Sequence, residues 1–190
     1  RESRTGCPAF LSKFIVIEER QKRITAFFSG LDSLSTGDRA VLKRAVGTRL
    51  CDADGRAMTI FYRLMPWQES ETVEDRWFAV ACFHCMWEAG SKGMALEKIL
   101  ARLKNDSEGM EPRLAALLDL HWEQDGYLLI KLSRIIKMVR QKDYCVDCAS
   151  LLEDLLFWNA DTQFVQRKWA RVMYKIADSR EKEEELTNAV

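Results

Sequence analysis

Turn-forming residues are scarce: 190 residues include 9 glycines and 3 prolines. A sandwich or barrel needs frequent tight turns, so this scarcity argues against an all-β fold. No apolar run of about 18 residues occurs, so nothing reads as a membrane-crossing helix. Histidine is limited to His84 and His121, and neither falls in a Ser/His/Asp or Cys/His arrangement. The phosphate-cradling G-x-x-x-x-G-K-[ST] and G-x-G-x-x-G motifs and the zinc-hydrolase H-E-x-x-H are absent. No repeat of fixed period appears, which excludes a solenoid. Net charge is missing too, with 29 basic against 29 acidic residues. A protein that holds nucleic acid alone by bulk electrostatics would carry a clear positive excess.

What remains is a globular helical chain. Its 47% hydrophobic and 31% charged content is ordinary for such a protein. At 22.0 kDa it can bury a real core as one domain or two small ones. Arg1 in place of an initiator Met, with no signal-peptide pattern after it, reads as a trimmed cytosolic chain. Charge is unevenly spread. The tail 178–190 carries five acids and two bases, leaving 24 acids and 27 bases in the body. A mildly positive body with local basic faces suits a subunit that shares a nucleic-acid channel with partners.

Apolar periodicity and capping residues divide the chain into helices. Residues 1–7 read as a disordered polar lead. Pro8 to Phe28 forms a long helix buried through Phe10, Phe14, Ile17, Ile24, Phe27 and Phe28, and Gly30 to Gly37 a loop. Ser35 or Thr36 caps a short helix through Ala45. Asp52 to Leu64 is the next, with Met58, Phe61, Tyr62 and Leu64 inward and Pro66 as its stop. Thr72 and Asp75 make a capping box for a largely buried helix through Trp87, ended by Gly90 and Gly93. Ala95 to Leu103 is amphipathic. The polar break Asn105–Gly109 separates an N-terminal bundle, 1–104, from a C-terminal bundle with a charged tail, 105–190. The fold class is all-α, two packed bundles of about eight or nine helices.

Two C-x-x-C pairs, Cys82/Cys85 and Cys145/Cys148, have the ligand chemistry of a zinc-thiolate site. Fifty-nine residues separate them, and the first pair lies within a helix rather than on a knuckle turn. Core packing of reduced thiols is the stronger reading. The carboxylates Glu69, Glu71, Glu74 and Asp75 read as a solvated helix start. Most of the six tryptophans are core, with Trp67 or Trp122 the candidate for exposure.

The stretch Glu111–Tyr174 organises the rest as three consecutive helices. Leu128, Leu129, Leu132, Ile135, Ile136 and Val139 recur on one sector of a helix wheel. Lys131, Arg134, Lys137 and Arg140 lie around the other side, and no acid occurs between Gly126 and Lys142. A solvated face usually mixes both signs, so a single-sign face needs a reason. Asp147 caps the next helix, with Leu151, Leu152, Leu155 and Leu156 inward. Asp161 caps the last, where Arg167, Lys168 and Arg171 are interleaved with Phe164, Val165, Trp169, Val172, Met173 and Ile176.

Several segments together carry a family resemblance. They are Leu42-Lys43-Arg44-Ala45, Phe61-Tyr62-Arg63-Leu64, Arg113-Leu114 with Leu117-Leu118, and Leu132-Ser133-Arg134-Ile135-Ile136. Val146-Asp147 with Leu151 to Leu155 and Trp158-Asn159, then Val165 to Ala170 and Tyr174, complete the set. In this order and spacing, from roughly Ser35 to Tyr174, the chain resembles the small (CasB-type) subunit of the type I-E CRISPR Cascade complex. The resemblance implies a non-enzymatic cytoplasmic protein without cofactor. It implies a dimer with a second copy, packed beside other Cascade subunits, holding guide RNA and target DNA in antiviral defence. Matching motifs put nucleic-acid contacts at Lys43, Arg44, Arg113 and Arg134. The single-sign faces add Lys131, Lys137, Arg140, Arg167, Lys168 and Arg171. The helix before Ser35 is longer than the family pattern and is a candidate partner contact. The rival readings are a helical protein–protein adaptor and a zinc-thiolate protein.

Overall fold

The computed structural model describes residues 8–106, 109–122 and 126–174. Among them every regular element is a helix, and the one extended pairing is an isolated parallel bridge between Met94 and Val146. The helices are α1 (Pro8–Asp32), α2 (Thr36–Arg44), α3 (Gly55–Leu64), α4 (Glu71–His84), α5 (Leu96–Asp106), α6 (Met110–Leu118), α7 (Tyr127–Gln141) and α8 (Cys148–Leu156). A ninth, α9 (164–174), follows, and a 3-10 turn, Leu50–Asp52, precedes α3. The all-α expectation holds. The charged run 179–185, Ile176 and residues 1–7 lie outside the described residues.

Helix α4 is the hub, rather than the stretch Glu111–Tyr174. It packs against α2, the 3-10 turn, α7 and α8. Nine consecutive residues, Asp75 to Phe83, are buried. A helix apolar around its circumference must be enclosed on all sides, and Trp77, Phe78, Val80, Ala81 and Phe83 meet that demand. Its buried charges are each engaged. Asp75 accepts from Leu50 N at 2.7 Å and from Trp122 Nε1 at 3.0 Å, while Arg76 donates to Leu156 O at 3.1 Å. The buried side chains form one cluster running from Ile24 to Met173. Phe27, Phe61, Phe78, Trp158 and Trp169 are among its largest members, each contributing roughly 1.5–3 kcal/mol by leaving water.

Helix boundaries follow local chemistry at several points. Ser35 accepts from Asp38 N at 3.1 Å, and Asp147 accepts from Ala149 N and Ser150 N at 3.1 Å, as N-caps should. Pro112 occupies the first turn of α6. Elsewhere the boundary departs from the expected one. Helix α1 runs through Gly30 to Asp32, because the missing side chain lets Leu64 approach: a β-carbon at Gly30 would lie 2.9 Å from Leu64 Cδ2. Helix α3 starts at Gly55, where Asp54 accepts from Ala57 N at 2.8 Å, and not at Asp52. Its inner face uses Ala57 and Ile60 with Phe61, leaving Tyr62 exposed.

The Thr72–Asp75 capping box does not form. Asp75 turns into the core, Ser70 occupies the N-cap position, and Glu74 reaches back to Glu69 N at 3.4 Å. Helix α4 also ends at His84, ahead of Trp87 and the two glycines. Asp161 sits in a turn, and α9 opens after Gln163. Trp122 is buried and Trp67 half-buried, so neither tryptophan proposed for exposure is fully exposed.

Candidate nucleic-acid interface

Helix α7 presents its sequence pattern in three dimensions. Leu128, Leu129, Leu132, Ile135, Ile136 and Val139 are buried, and Ser133 joins them by donating to Leu129 O at 2.7 Å. Arg134, Lys137 and Arg140 are exposed, and Lys131 is half-buried. Packing of α6 on α7 brings a further predicted cation, Arg113, to this face. Arg113, Lys131 and Arg134, with Met110, Ile135 and Met138, line a groove of about 380 Å³. Among the described residues its charged lining is wholly basic. No ion pair among the described residues involves these three side chains.

A second groove, of about 470 Å³, joins the two halves of the chain. Lys43 from the last turn of α2 and Arg140 from α7 line it, together with Trp87 and Tyr144. Trp87 Nε1 donates to Tyr144 O at 2.9 Å. Glu88 and Asp143 also line this groove, so its charge is mixed. Arg44 and Lys137 are exposed outside both grooves, and Arg167 and Arg171 are exposed on α9.

Lys168 stands differently. Its ammonium lies 2.6 and 2.7 Å from the two oxygens of Asp154 and 3.6 Å from Glu97 Oε1. Asp154 also accepts from Trp169 Nε1 at 2.7 Å. Other cations are similarly engaged: Arg39 donates to Leu31 O and Trp87 O, and Arg56 and Arg63 meet Asp38. The sorting is informative. Nine of the ten predicted contact residues have no such partner among the described residues, and Lys168 does.

Sequence pattern alone missed Arg49. It is bound to Asp75 through Nε at 3.4 Å and its side chain is 44% exposed. The neighbouring carboxylate of Asp75 raises its pKa. A β-carbon at Gly126 would lie 3.6 Å from Arg49 Cδ, so Arg49 adds a cation at the N-terminal end of α7. No periodicity signals it, because it lies in a loop 78 residues before Tyr127 in the chain.

The titratable clusters form no catalytic arrangement among the described residues. His84 Nε2 lies 2.8 Å from Asp32 Oδ1 and its ring meets Phe28 edge-on, while His121 is exposed. Cys82, Cys85 and Cys148 are buried and Cys145 half-buried. Burial pushes the Cys85 thiol up to about 11 and those of Cys82 and Cys148 well above the usual value. Among the described residues no three His, Cys, Asp or Glu side chains are grouped as a metal ion would require. Asp75 is no part of a solvated acidic helix start. Its neighbours Glu69 and Glu74 hold Arg23 and the Tyr62 hydroxyl.

Fold and surface together define an α-helical protein whose uncompensated cations gather on grooves and helix faces rather than around a reactive group. The chain belongs to the CRISPR-associated protein Cse2 family, whose model matches residues 38–174. It is 26% identical over 136 residues to the CRISPR-associated protein Cse2 of Thermus thermophilus, covering 67% of this chain and 77% of that one. The crystal structure of M. ruber CasB superposes with a TM-score of 0.69 at 27% identity, over 84% of this chain and 97% of that one. A chain of a CRISPR RNA-guided surveillance complex shares the fold, with a TM-score of 0.68 at 21% identity, over 86% and 98% of the two chains. The CasB-type resemblance read from the sequence is thereby established.

Proposed function

We propose that this chain is the non-catalytic small subunit of a type I-E Cascade complex, and that it grips nucleic-acid backbone to stabilise the guide RNA–target DNA hybrid and the displaced strand. The convergence of Arg113, Lys131 and Arg134 on one groove, whose charged lining among the described residues is basic, carries this reading. Phosphates are anionic along every strand, so Lys and Arg can hold them without reading sequence. Opening a target duplex against a guide is a nearly balanced exchange, which a few backbone contacts can tip. Membership of the Cse2 family and the fold shared with a surveillance-complex chain support the assembly context.

In this reading the protein works in the cytoplasm as a pair of copies beside the other subunits. Lys43, Arg44, Lys137, Arg140, Arg167 and Arg171 add contacts around the groove, and Lys168 anchors α9 to α8. Zero net charge fits a subunit whose affinity depends on neighbours. The test is purification from the native host under gentle salt. Guide RNA of uniform length with several protein partners is the expected result. Recovery with protein partners but without RNA would overturn this reading in favour of an adaptor.

A further inference from the structure

Among the described residues six large apolar side chains stand exposed: Tyr62, Tyr127, Ile130, Phe157, Phe164 and Tyr174. Four of them have local partners. The Tyr62 hydroxyl donates to Glu74 at 2.9 Å, and that of Tyr174 to Glu111 at 2.8 Å beneath the Lys104 ammonium. Phe157 and Phe164 lie against each other, with ring centroids 5.7 Å apart, and Arg20 covers Phe157. Tyr127, 56% exposed, and Ile130, 40% exposed, have neither a ring partner nor a side-chain hydrogen bond among the described residues. Both stand on α7.

Their placement on the helix is specific. Tyr127, Lys131 and Arg134 are spaced i, i+4 and i+7, which puts them on one stripe. Ile130, Arg134 and Lys137 repeat that spacing on the adjoining stripe. From Tyr127 to Arg134 the helix rises about 10 Å. Arg49 lies at the Tyr127 end, its charge met by Asp75. An exposed aromatic ring leading a row of unpaired cations is the combination that single-strand binders use, because every base has a face to stack while phosphates follow the charge. Duplex offers phosphates but keeps its base faces stacked inside.

We propose that Tyr127, flanked by Ile130, stacks on an unpaired base, so that the basic face of α7 takes single-stranded nucleic acid in preference to duplex. The inference rests on the nucleic-acid reading above and adds to it the form of strand and the residue that selects it. Its test uses the full chain at low salt with three labelled probes of equal length: a thymidine strand, an abasic strand and a blunt duplex. Tyr127→Ala should bind the thymidine strand about tenfold more weakly and the other two probes unchanged. Tyr127→Trp should bind all three as the parent does, and a 5-iodouracil strand should cross-link to Tyr127. An unchanged thymidine affinity, or an equal loss on the abasic strand, overturns stacking while leaving the backbone reading intact. If Lys131→Glu/Arg134→Glu binds all three probes as the parent does, the backbone reading fails and this inference falls with it.

Discussion

Lys168 and Asp154 hold each other through both carboxylate oxygens, at 2.6 and 2.7 Å, with Trp169 donating to one of them. The carboxylate is buried, while the lysine side chain is 42% exposed. Truncating Asp154 leaves a buried indole N–H without an acceptor and a charge without its partner. Asp154→Ala should cost about 2–4 kcal/mol. Lys168→Ala should cost less, about 1 kcal/mol, because solvent screens the exposed end. Denaturant midpoints measure both, and the salt dependence of nucleic-acid binding should be the same in Lys168→Ala as in the parent.

Gly93 lies where two distant segments meet. Met94 N donates to Cys145 O and Asp147 N donates to Met94 O, both at 2.9 Å. A β-carbon on Gly93 would come within 2.2 Å of Asp147 N and the Val146 carbonyl carbon. Backbone atoms cannot yield as a flexible side chain can. Gly93→Ala should separate the two segments and lower stability by about 3 kcal/mol or more, whereas Gly90→Ala, with open space around it, should not break this contact. Thermal unfolding of the two variants checks the difference.

Thiol reactivity follows burial, because only the thiolate attacks an alkylating agent. Cys51 is exposed and should react with iodoacetamide in the native protein at mildly alkaline pH. Cys82, Cys85 and Cys148 should stay unmodified until denaturant is added, their thiols held high by burial. Mass spectrometry of the labelled peptides reads this directly. Rapid native labelling of Cys85 or Cys148 would mean an open thiol site there and would revive the zinc-thiolate alternative.

Asp32 gives the fold an acid-sensitive contact. Burial pushes its carboxyl upward, but the His84 hydrogen bond, the Gly90 N–H and the charges of His84 and Arg39 outweigh that and hold it below the ordinary 3.8. A depressed folded value stabilises above the unfolded value, and that stabilisation is lost as pH falls through the folded one. The stability gap between the parent and Asp32→Asn should therefore hold down to about pH 5 and close below 3.8. Urea midpoints across that range test it.

Much of this was legible in the sequence where the cause is local. Helix α7 announces itself through spacing and single-sign charge, and Ser35 and Asp147 cap the helices that follow them. What was illegible depends on residues far apart. Asp75 looks like a capping partner for Thr72, yet its hydrogen bonds go to Leu50, 25 positions earlier, and Trp122, 47 later. Gly30 looks like a loop residue because its reason, the approach of Leu64, lies in another helix. Arg113 could be carried over by motif, but its meeting with Lys131 and Arg134 depends on how α6 packs on α7. Arg167, Lys168 and Arg171 read alike as basic residues of one helix, and the pairing with Asp154 and Glu97 sets Lys168 apart.

The most direct measurement is target-DNA capture by the assembled complex over a range of salt, with parent subunit and with Lys131→Glu/Arg134→Glu. Both residues carry their charge at the protein surface without an ion-pair partner among the described residues, so thermal stability should be unchanged. Each lost phosphate contact should reduce the slope of log affinity against log salt by about 0.7–0.9. A reduction near two contacts' worth, with weaker capture by a normally folded variant, is the predicted result. Unchanged capture and an unchanged slope would contradict the assignment of this groove to nucleic acid.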